Sequence, residues 1–348
     1  MQLQELGWDE SFADAFRPHT ENGLAPARVA VEHRSEYVVY AEAGELRAEL
    51  AGRLRFDGDH PAVGDWVAVA ARDGEGRATI QAVLPRRTAF VRKTPWTETR
   101  AQVLAANVDV VFIVCGLDLN YNVRRIERYL TLAWESGAQP VVLLTKADLC
   151  DDVDERTLEV ESVAIGVPVL AVSAPTGAGL DEVRSYLDAG RTAALLGSSG
   201  VGKSTLVNAL AGAELLATRE VRADDGRGRH TTTHRQLVLL PQGGLVLDTP
   251  GMRELQLWNA DEGIGTAFAD IDELVAQCRF SDCAHEREPG CAVRTALYNS
   301  ELDRERYESW RKLQRELEHL RVRQDGRLLS EARKERRRFA RSQRKVSW

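Results

Sequence analysis

Eight consecutive residues, Gly197-Ser198-Ser199-Gly200-Val201-Gly202-Lys203-Ser204, match the pattern G-x-x-x-x-G-K-[ST] in full. Glycines at these positions let successive backbone N–H groups turn inward around an anion, and a helix N-terminus beyond them adds positive potential. The chemistry is that of a triphosphate cradle. Lys203 is placed to bridge β- and γ-phosphates, and the Ser204 hydroxyl to ligate Mg2+. An apolar strand, Ala193 to Leu196, precedes the loop, and a helical segment from Thr205 to Ala211 follows it. That is the context the motif requires, and Gly197 through Thr205 are taken together as the phosphate site.

Two further motifs stand at strand ends. Asp248-Thr249-Pro250-Gly251 follows an apolar run 44 residues after Ser204. An Asp there holds Mg2+, here through water, and the Gly251 N–H meets the γ-phosphate. D-x-x-G alone carries little; its place at a strand end beyond the phosphate loop gives it weight. Thr145-Lys146-Ala147-Asp148 resembles the guanine-specificity motif [NT]-K-x-D. The Asp148 carboxylate can accept from both the ring N–H and the exocyclic amine of guanine, a donor pair that adenine lacks. The aliphatic stem of Lys146 can cover the base face. Ser173-Ala174 resembles the accessory loop whose backbone N–H meets the guanine O6.

The order of these motifs is informative. In the Ras-like pattern the phosphate loop comes first, whereas here 145–148 and 173–174 precede 197. A site needs geometry rather than chain order, so the arrangement reads as a circularly permuted GTPase. The segment after Gly251 then runs directly into the next domain, a short path for movement of a γ-phosphate-sensing loop. Ras-like enzymes orient the attacking water with a Gln after the D-x-x-G glycine, but Met252 stands there. Between phosphate loop and Asp248, where the first switch belongs, lies Gly226-Arg227-Gly228-Arg229-His230-Thr231-Thr232-Thr233. Thr231 or Thr232 can meet Mg2+ through its hydroxyl, and His230 is the candidate for positioning water. Weak intrinsic turnover and an activating partner are the expectation.

Cys278-x4-Cys283-x-His285-x5-Cys291 offers three thiolates and one imidazole. Four soft or borderline ligands with no open position describe a closed, structural Zn2+ site that folds a small helical domain. Cys115 and Cys150, at or near the ends of apolar runs, read as buried core thiols.

The remaining elements must position these groups. A chain of 348 residues suggests two or three domains, because single cores rarely grow past about 250–300 residues. No apolar run approaches the roughly 18 residues of a membrane span, and the first residues lack a basic start and apolar core. A cytoplasmic location is expected. Residues 1–22 show no clear period and read as a loosely ordered extension. From Ala27 to Leu84, five short apolar runs separated by turn residues fit a small closed barrel, with an OB-fold the natural candidate and any small β-domain the alternative. Residues 86–109 are basic and polar and read as a linker. Val110–Cys115, Val141–Leu144, Val167–Val172, Ala193–Leu196, Leu237–Leu240 and Leu245–Leu247 then alternate with helical patterns, giving a mainly parallel sheet covered by helices. After Gly251, Ile264, Phe268, Ile271, Leu274 and Val275 form one apolar stripe, and Trp310, Leu313, Leu317 and Leu320 another. The net charge of −7 is segregated: Arg304 to Trp348 carries sixteen Lys/Arg against seven Asp/Glu, a tail aimed at a polyanion or a solvated face.

Taken together, these residues resemble the ribosome small-subunit-dependent GTPases, the RsgA or YjeQ family. The likeness covers about residues 25 to 320. It rests on T-K-A-D ahead of G-S-S-G-V-G-K-S, on G-R-G-R-H-T-T-T, on D-T-P-G and on the zinc spacing. V-G-D-W-V at 63–67 also resembles the family's barrel and favours the OB-fold. The resemblance implies a multi-domain α/β chain: extension 1–24, OB-fold 25–90, permuted GTPase domain 97–257, helical zinc domain 258–325 and basic tail 326–348. It implies a monomer that hydrolyses GTP with Mg2+, binds the 30S subunit and its 16S rRNA late in maturation, and is linked to release of ribosome-binding factor A. No membrane is involved. The readings left beside it are a GTP-dependent RNA-binding factor for another ribosomal particle or RNA, and a module that uses GTP only to fold.

Overall fold

The computed structural model describes residues 1–33, 36–57, 60–72, 74–93, 101–188, 190–216, 235–248 and 261–324. The chain divides into two units, one of residues 1–91 and 103–255 and one of 92–102 and 256–348, each in its described part.

The N-terminus is not loosely ordered. A 3-10 turn at Gln4–Leu6 leads into helix α1 (Glu10–Thr20), whose N-cap Asp9 accepts the Phe12 N–H at 3.2 Å. Phe12 and Phe16 share one face of α1, and Trp8, just before the cap, packs against both, with ring centroids at 6.1 and 5.8 Å. That face meets the fully buried Trp66, with ring centroids 4.7 Å away for Trp8 and 5.8 Å for Phe12. Three residues are too few to register as a period in the sequence, yet they bury enough aromatic surface to hold the helix.

Five strands follow: β1 (Ala25–Glu32), β2 (Tyr37–Ala41), β3 (Gly44–Leu50), β4 (Trp66–Arg72) and β5 (Arg77–Val83), with helix α2 (Gly52–Asp57) between β3 and β4. In β3, Leu46, Ala48 and Leu50 are buried while Glu45, Arg47 and Glu49 are exposed, the alternation of a sheet packed on one face. Antiparallel pairs β1–β2, β2–β3, β4–β5 and β1–β4, with a parallel β3–β5 pair, close the order 1-2-3-5-4-1. This is the five-stranded OB-like barrel, filled by Val29, Val39, Leu46, Val67 and Ile80.

The expected linker is structured. Strands β6 (Ala89–Lys93) and β7 (Ala101–Ala106) pair in a ribbon. Arg86 binds the buried Asp65 through two hydrogen bonds of 2.8 and 2.7 Å, and Arg87 pairs with Asp9. These cations answer carboxylates elsewhere in the fold, which the local composition could not disclose. Arg28, 2% exposed, fastens the same seam by donating to Gly64 O at 3.2 Å, Asn107 O at 2.9 Å and Leu6 O. Burial lowers its pKa to about 10, opposed by Asp109 and Asp65, so it stays charged at neutral pH.

The second part of this unit alternates strand and helix: β8 (Val110–Gly116), α3 (Val123–Ser136), β9 (Gln139–Thr145), α4 (Val153–Glu161), β10 (Val169–Val172), α5 (Leu180–Arg184), β11 (Thr192–Leu196), α6 (Lys203–Ala211), β12 (Gln236–Leu239) and β13 (Leu245–Asp248). The strand order is β10-β9-β8-β11-β13-β12, all parallel except β12, which runs antiparallel to β13. All seven residues of β8 are buried, as a strand covered on both faces requires. Strand β12 also pairs with β1 at Val31↔Gln236, beside an Arg235–Glu32 ion pair of 3.1 Å, so sheet and barrel run together. Cys115 is buried as expected. Cys150 is not, because it falls past the end of β9; it is half-buried with its Sγ 3.1 Å from Asp152 Oδ1.

In the second unit, the expected apolar stripe divides at Phe268 into α7 (Asp261–Ala267) and α8 (Ala269–Ala276). Helices α9 (Ala292–Tyr298) and α10 (Arg304–Gln324) follow. Trp310, Leu313, Leu317 and Leu320 are buried along α10 as their spacing predicts. Arg306, 4% exposed, locks α10 to the α7–α8 bend through Asp270 at 2.8 and 2.6 Å and Ala267 O at 3.1 Å. Among the described residues, no helix is long and apolar enough to cross a membrane. The basic segment 326–348 lies outside the described residues.

Candidate functional site

Parallel strands deliver their C-terminal ends to one edge of a sheet, and ligands of open α/β sheets bind in the crevice outside that edge. Here β9 ends at Thr145, β10 at Val172, β11 at Leu196 and β13 at Asp248. Each predicted motif therefore leaves the same edge, although the motifs are scattered over a hundred residues of chain.

The phosphate loop runs from β11 into α6. Gly200 (φ 77°) and Gly202 (φ 96°) take left-handed conformations that carry the backbone round the turn. Gly197 answers a different demand: a Cβ there would lie 2.5 Å from Val114 O. Lys203 donates to Gly197 O at 2.8 Å and Ser198 O at 2.5 Å, so its ammonium lies over the loop. Ser204 and Thr205 follow on the first turn of α6, Ser204 half-buried and Thr205 exposed.

The guanine-like motif is bound directly to this loop. Thr145 Oγ1 donates to Val201 O at 2.5 Å, with Cys115 O at 3.3 Å. Lys146, in a left-handed conformation (φ 62°) uncommon for a non-glycine, donates to Gly200 O at 2.7 Å and Asp118 Oδ2 at 2.5 Å. Ala147 opens the short 3-10 turn that presents Asp148. Asp148 is exposed; its Oδ1 accepts from Ser173 Oγ at 2.6 Å, while Oδ2 has no partner among the described residues. Ser173 is buried at the end of β10, and Ala174 stands half-buried beside it. Hydrogen bonds thus join residues 145–148, 173–174 and 197–205 at one edge of the sheet.

Asp248 ends β13, whose register with β11 (Ala194↔Leu247) sets its backbone beside the strand that feeds the loop. Gly251 and the hydrolytic candidates His230, Thr231 and Thr232 lie outside the described residues. Sequence reasoning passed over Asp118 and Arg125, which hydrogen-bond to residues of the predicted motifs. Asp118 holds Lys146, and Arg125 donates to Ser198 Oγ at 2.7 Å. The signal for them is positional: both follow the C-terminal end of β8, the one parallel neighbour of β11 that carried no recognised motif.

In the second unit, the ligand atoms of Cys278, Cys283, His285 and Cys291 all lie within 4.8 Å of one another. Cys278 Sγ is 3.9 Å from Cys291 Sγ, and His285 Nδ1 is 3.6 and 3.4 Å from those sulfurs. A tetrahedron with metal–S of about 2.3 Å and metal–N of about 2.0 Å has S···S edges of about 3.8 Å and S···N edges of about 3.5 Å. The cluster fits a four-coordinate ion bound through Nδ1. Glu288 accepts the N–H groups of Ala284, Glu286 and Arg287 at 3.3, 2.9 and 3.0 Å and so shapes the turn carrying His285. Backbone N–H groups, its own first and then those of Arg287 and Glu286, lower the pKa of its carboxyl to about 2.

A parallel sheet with a phosphate loop on its central strand, and the strand ending in the guanine-type motif placed earlier in the chain, defines a circularly permuted P-loop GTPase. A model of the RsgA GTPase family matches residues 83–258. The small ribosomal subunit biogenesis GTPase RsgA of Opitutus terrae is 50% identical over 329 residues, covering 91% of this chain and 90% of its own. The protein so named in Streptomyces coelicolor is 48% identical, covering 96% and 91%. The crystal structure of YjeQ from Thermotoga maritima superposes with a TM-score of 0.64 at 32% identity, over 84% of this chain and 98% of that one. The fold of YloQ, described as a circularly permuted GTPase, superposes with a TM-score of 0.61. The ABC transporter family model also matches, over residues 180–343, a stretch that includes the phosphate loop. This chain belongs to the RsgA GTPase family and is a GTP hydrolase.

Proposed function

We propose that this chain binds the small ribosomal subunit through its 16S rRNA and assists a late step of maturation, with GTP hydrolysis stimulated by the subunit. The observation that carries this reading is the joining of a guanine-type site to an OB-like barrel by the β1–β12 pairing, in a chain about half identical to proteins named for small-subunit biogenesis. An OB barrel offers a groove suited to single-stranded RNA. Release of ribosome-binding factor A, a monomeric state and a cytoplasmic location complete the proposal. The parts are the extension 1–24, barrel 25–90, GTPase domain 97–257, zinc domain 258–325 and basic tail 326–348.

In this reading Asp148 accepts from the guanine ring N–H and amine, Lys146 lies along the base face, and the Ser173–Ala174 backbone meets O6. The amides of 197–205 hold the phosphates, with Lys203 across the β- and γ-groups. Ser204, and Asp248 through water, would hold Mg2+, which when bound neutralises charge on those phosphates. Gly251 meets the γ-phosphate, Thr231 or Thr232 would meet Mg2+ through its hydroxyl, and His230 orients water. The four ligands at 278–291 would hold Zn2+ in a closed, structural role.

The test is GTP turnover titrated with purified 30S, 50S and 70S particles. Stimulation by 30S, weakening with salt as phosphate contacts do, is the expected result. Equal turnover with all three particles, or greater with 50S, would overturn the assignment. His230→Ala should spare GTP binding and slow stimulated turnover; unchanged turnover would remove His230 from the mechanism.

A further inference from the structure

Asp118 and Arg125 sit in a segment to which the nucleotide reading gives no work, yet both bind residues of the predicted motifs, Lys146 and Ser198. Their contacts form a closed circuit. Arg125 Nη1 donates to Ser198 Oγ at 2.7 Å and to Asn120 O at 3.4 Å. The Asn120 N–H donates to Asp118 Oδ1 at 2.8 Å. Asp118 Oδ2 accepts from Lys146 Nζ, which also donates to Gly200 O. The circuit leaves the phosphate loop at Ser198 and returns to it at Gly200, passing through the base-reading lysine. Helix geometry aims Arg125: Asn122 caps α3 by accepting the Arg125 N–H at 2.8 Å, which fixes the first turn. Asp118 and Lys146 are each about a quarter exposed, so their pairing is partly shielded from solvent screening.

We propose that Asp118 and Arg125 are positioning residues for the nucleotide, holding Lys146 and the first turn of the phosphate loop in one frame. Each acts through a residue of the predicted motifs: Asp118 through Lys146, and Arg125 through Ser198. Charge-assisted hydrogen bonds within one network are not additive, because opening the circuit at one point releases the rest. A merely structural pair would add its losses and lower the melting temperature in step.

The inference rests on the guanine-nucleotide reading of this crevice, and the experiment separates the two. Fluorescent GDP is titrated into the full-length chain and into D118A, R125A, S198A, D118A/R125A and R125A/S198A, with melting followed in parallel. Each single variant is expected to weaken binding about tenfold. Each double variant should bind no more weakly than its weaker parent, and its melting temperature should fall no further than that parent's. R125K should recover part of the loss. Wild-type affinity in D118A and R125A, multiplicative losses in the doubles, or losses that track melting temperature would each overturn the proposal while leaving nucleotide binding intact. Failure of the wild-type chain to bind GDP would sink both readings.

Discussion

Thr145 shows how little separates a strand end from a binding site. Its hydroxyl reaches Val201 O and so ties the base-reading turn to the phosphate loop. Thr145→Val keeps the shape but leaves that buried carbonyl without its donor, a loss of about 1–3 kcal/mol. Affinity for fluorescent GDP should fall between about 5- and 150-fold. Asp118 gives a pH signature. Burial raises its pKa, but hydrogen bonds from Lys146 and Asn120 and the Lys146 charge outweigh burial and hold it below the ordinary value of 3.8. A carboxylate with a lowered folded pKa stabilises the fold fully above its unfolded value and loses that contribution as pH falls through the folded one. The stability gap between wild type and Asp118→Asn, read by urea denaturation, should hold steady from neutrality to about pH 4 and close only below it. Thr145, Lys146, Asp148 and Ser173 were legible because their types and spacing form a motif. Asp118 and Arg125 were not: their partners stand 28 and 73 residues away, and an Asp-x-Asn after a strand reads as an ordinary turn.

At the scale of elements, the phosphate loop distinguishes its glycines by the demands placed on them. Gly202 needs only a left-handed backbone, so Gly202→Ala should cost about 1–2 kcal/mol through strain. An added Cβ at Gly197 meets Val114 O, a backbone atom that cannot swing aside. Gly197→Ala should therefore be the more destabilising of the two, and equal unfolding midpoints would contradict this packing. The α8–α9 connection depends on its ligands instead. Stripping metal with a chelator should raise amide exchange across 278–298 and spare strands 110–116 and 192–196, because the two regions belong to different units. The parallel sheet was readable from its continuous apolar runs, and α10 from its spacing. Helix α1 and the β6–β7 ribbon were not, since what stabilises them is Trp66, Asp65 and Asp9, residues distant in sequence.

The whole molecule turns the permutation into a connection. Strand β12 pairs with β1 of the barrel and leads through β13 to Asp248. Barrel, sheet and both base- and phosphate-side motifs thus share one unit. That the motifs share a pocket despite their reversed order is the claim on which the functional reading depends, and substrate exchange in Asp148→Asn tests it most directly. An asparagine amide donates where the carboxylate accepted, so it suits the C2 carbonyl of xanthine and mismatches the amine of guanine. Turnover of GTP should fall about 100-fold, with a gain for xanthosine triphosphate and no change in the fold. A variant that hydrolyses GTP like the wild type, with no gain for xanthosine triphosphate, would show that the base is read elsewhere.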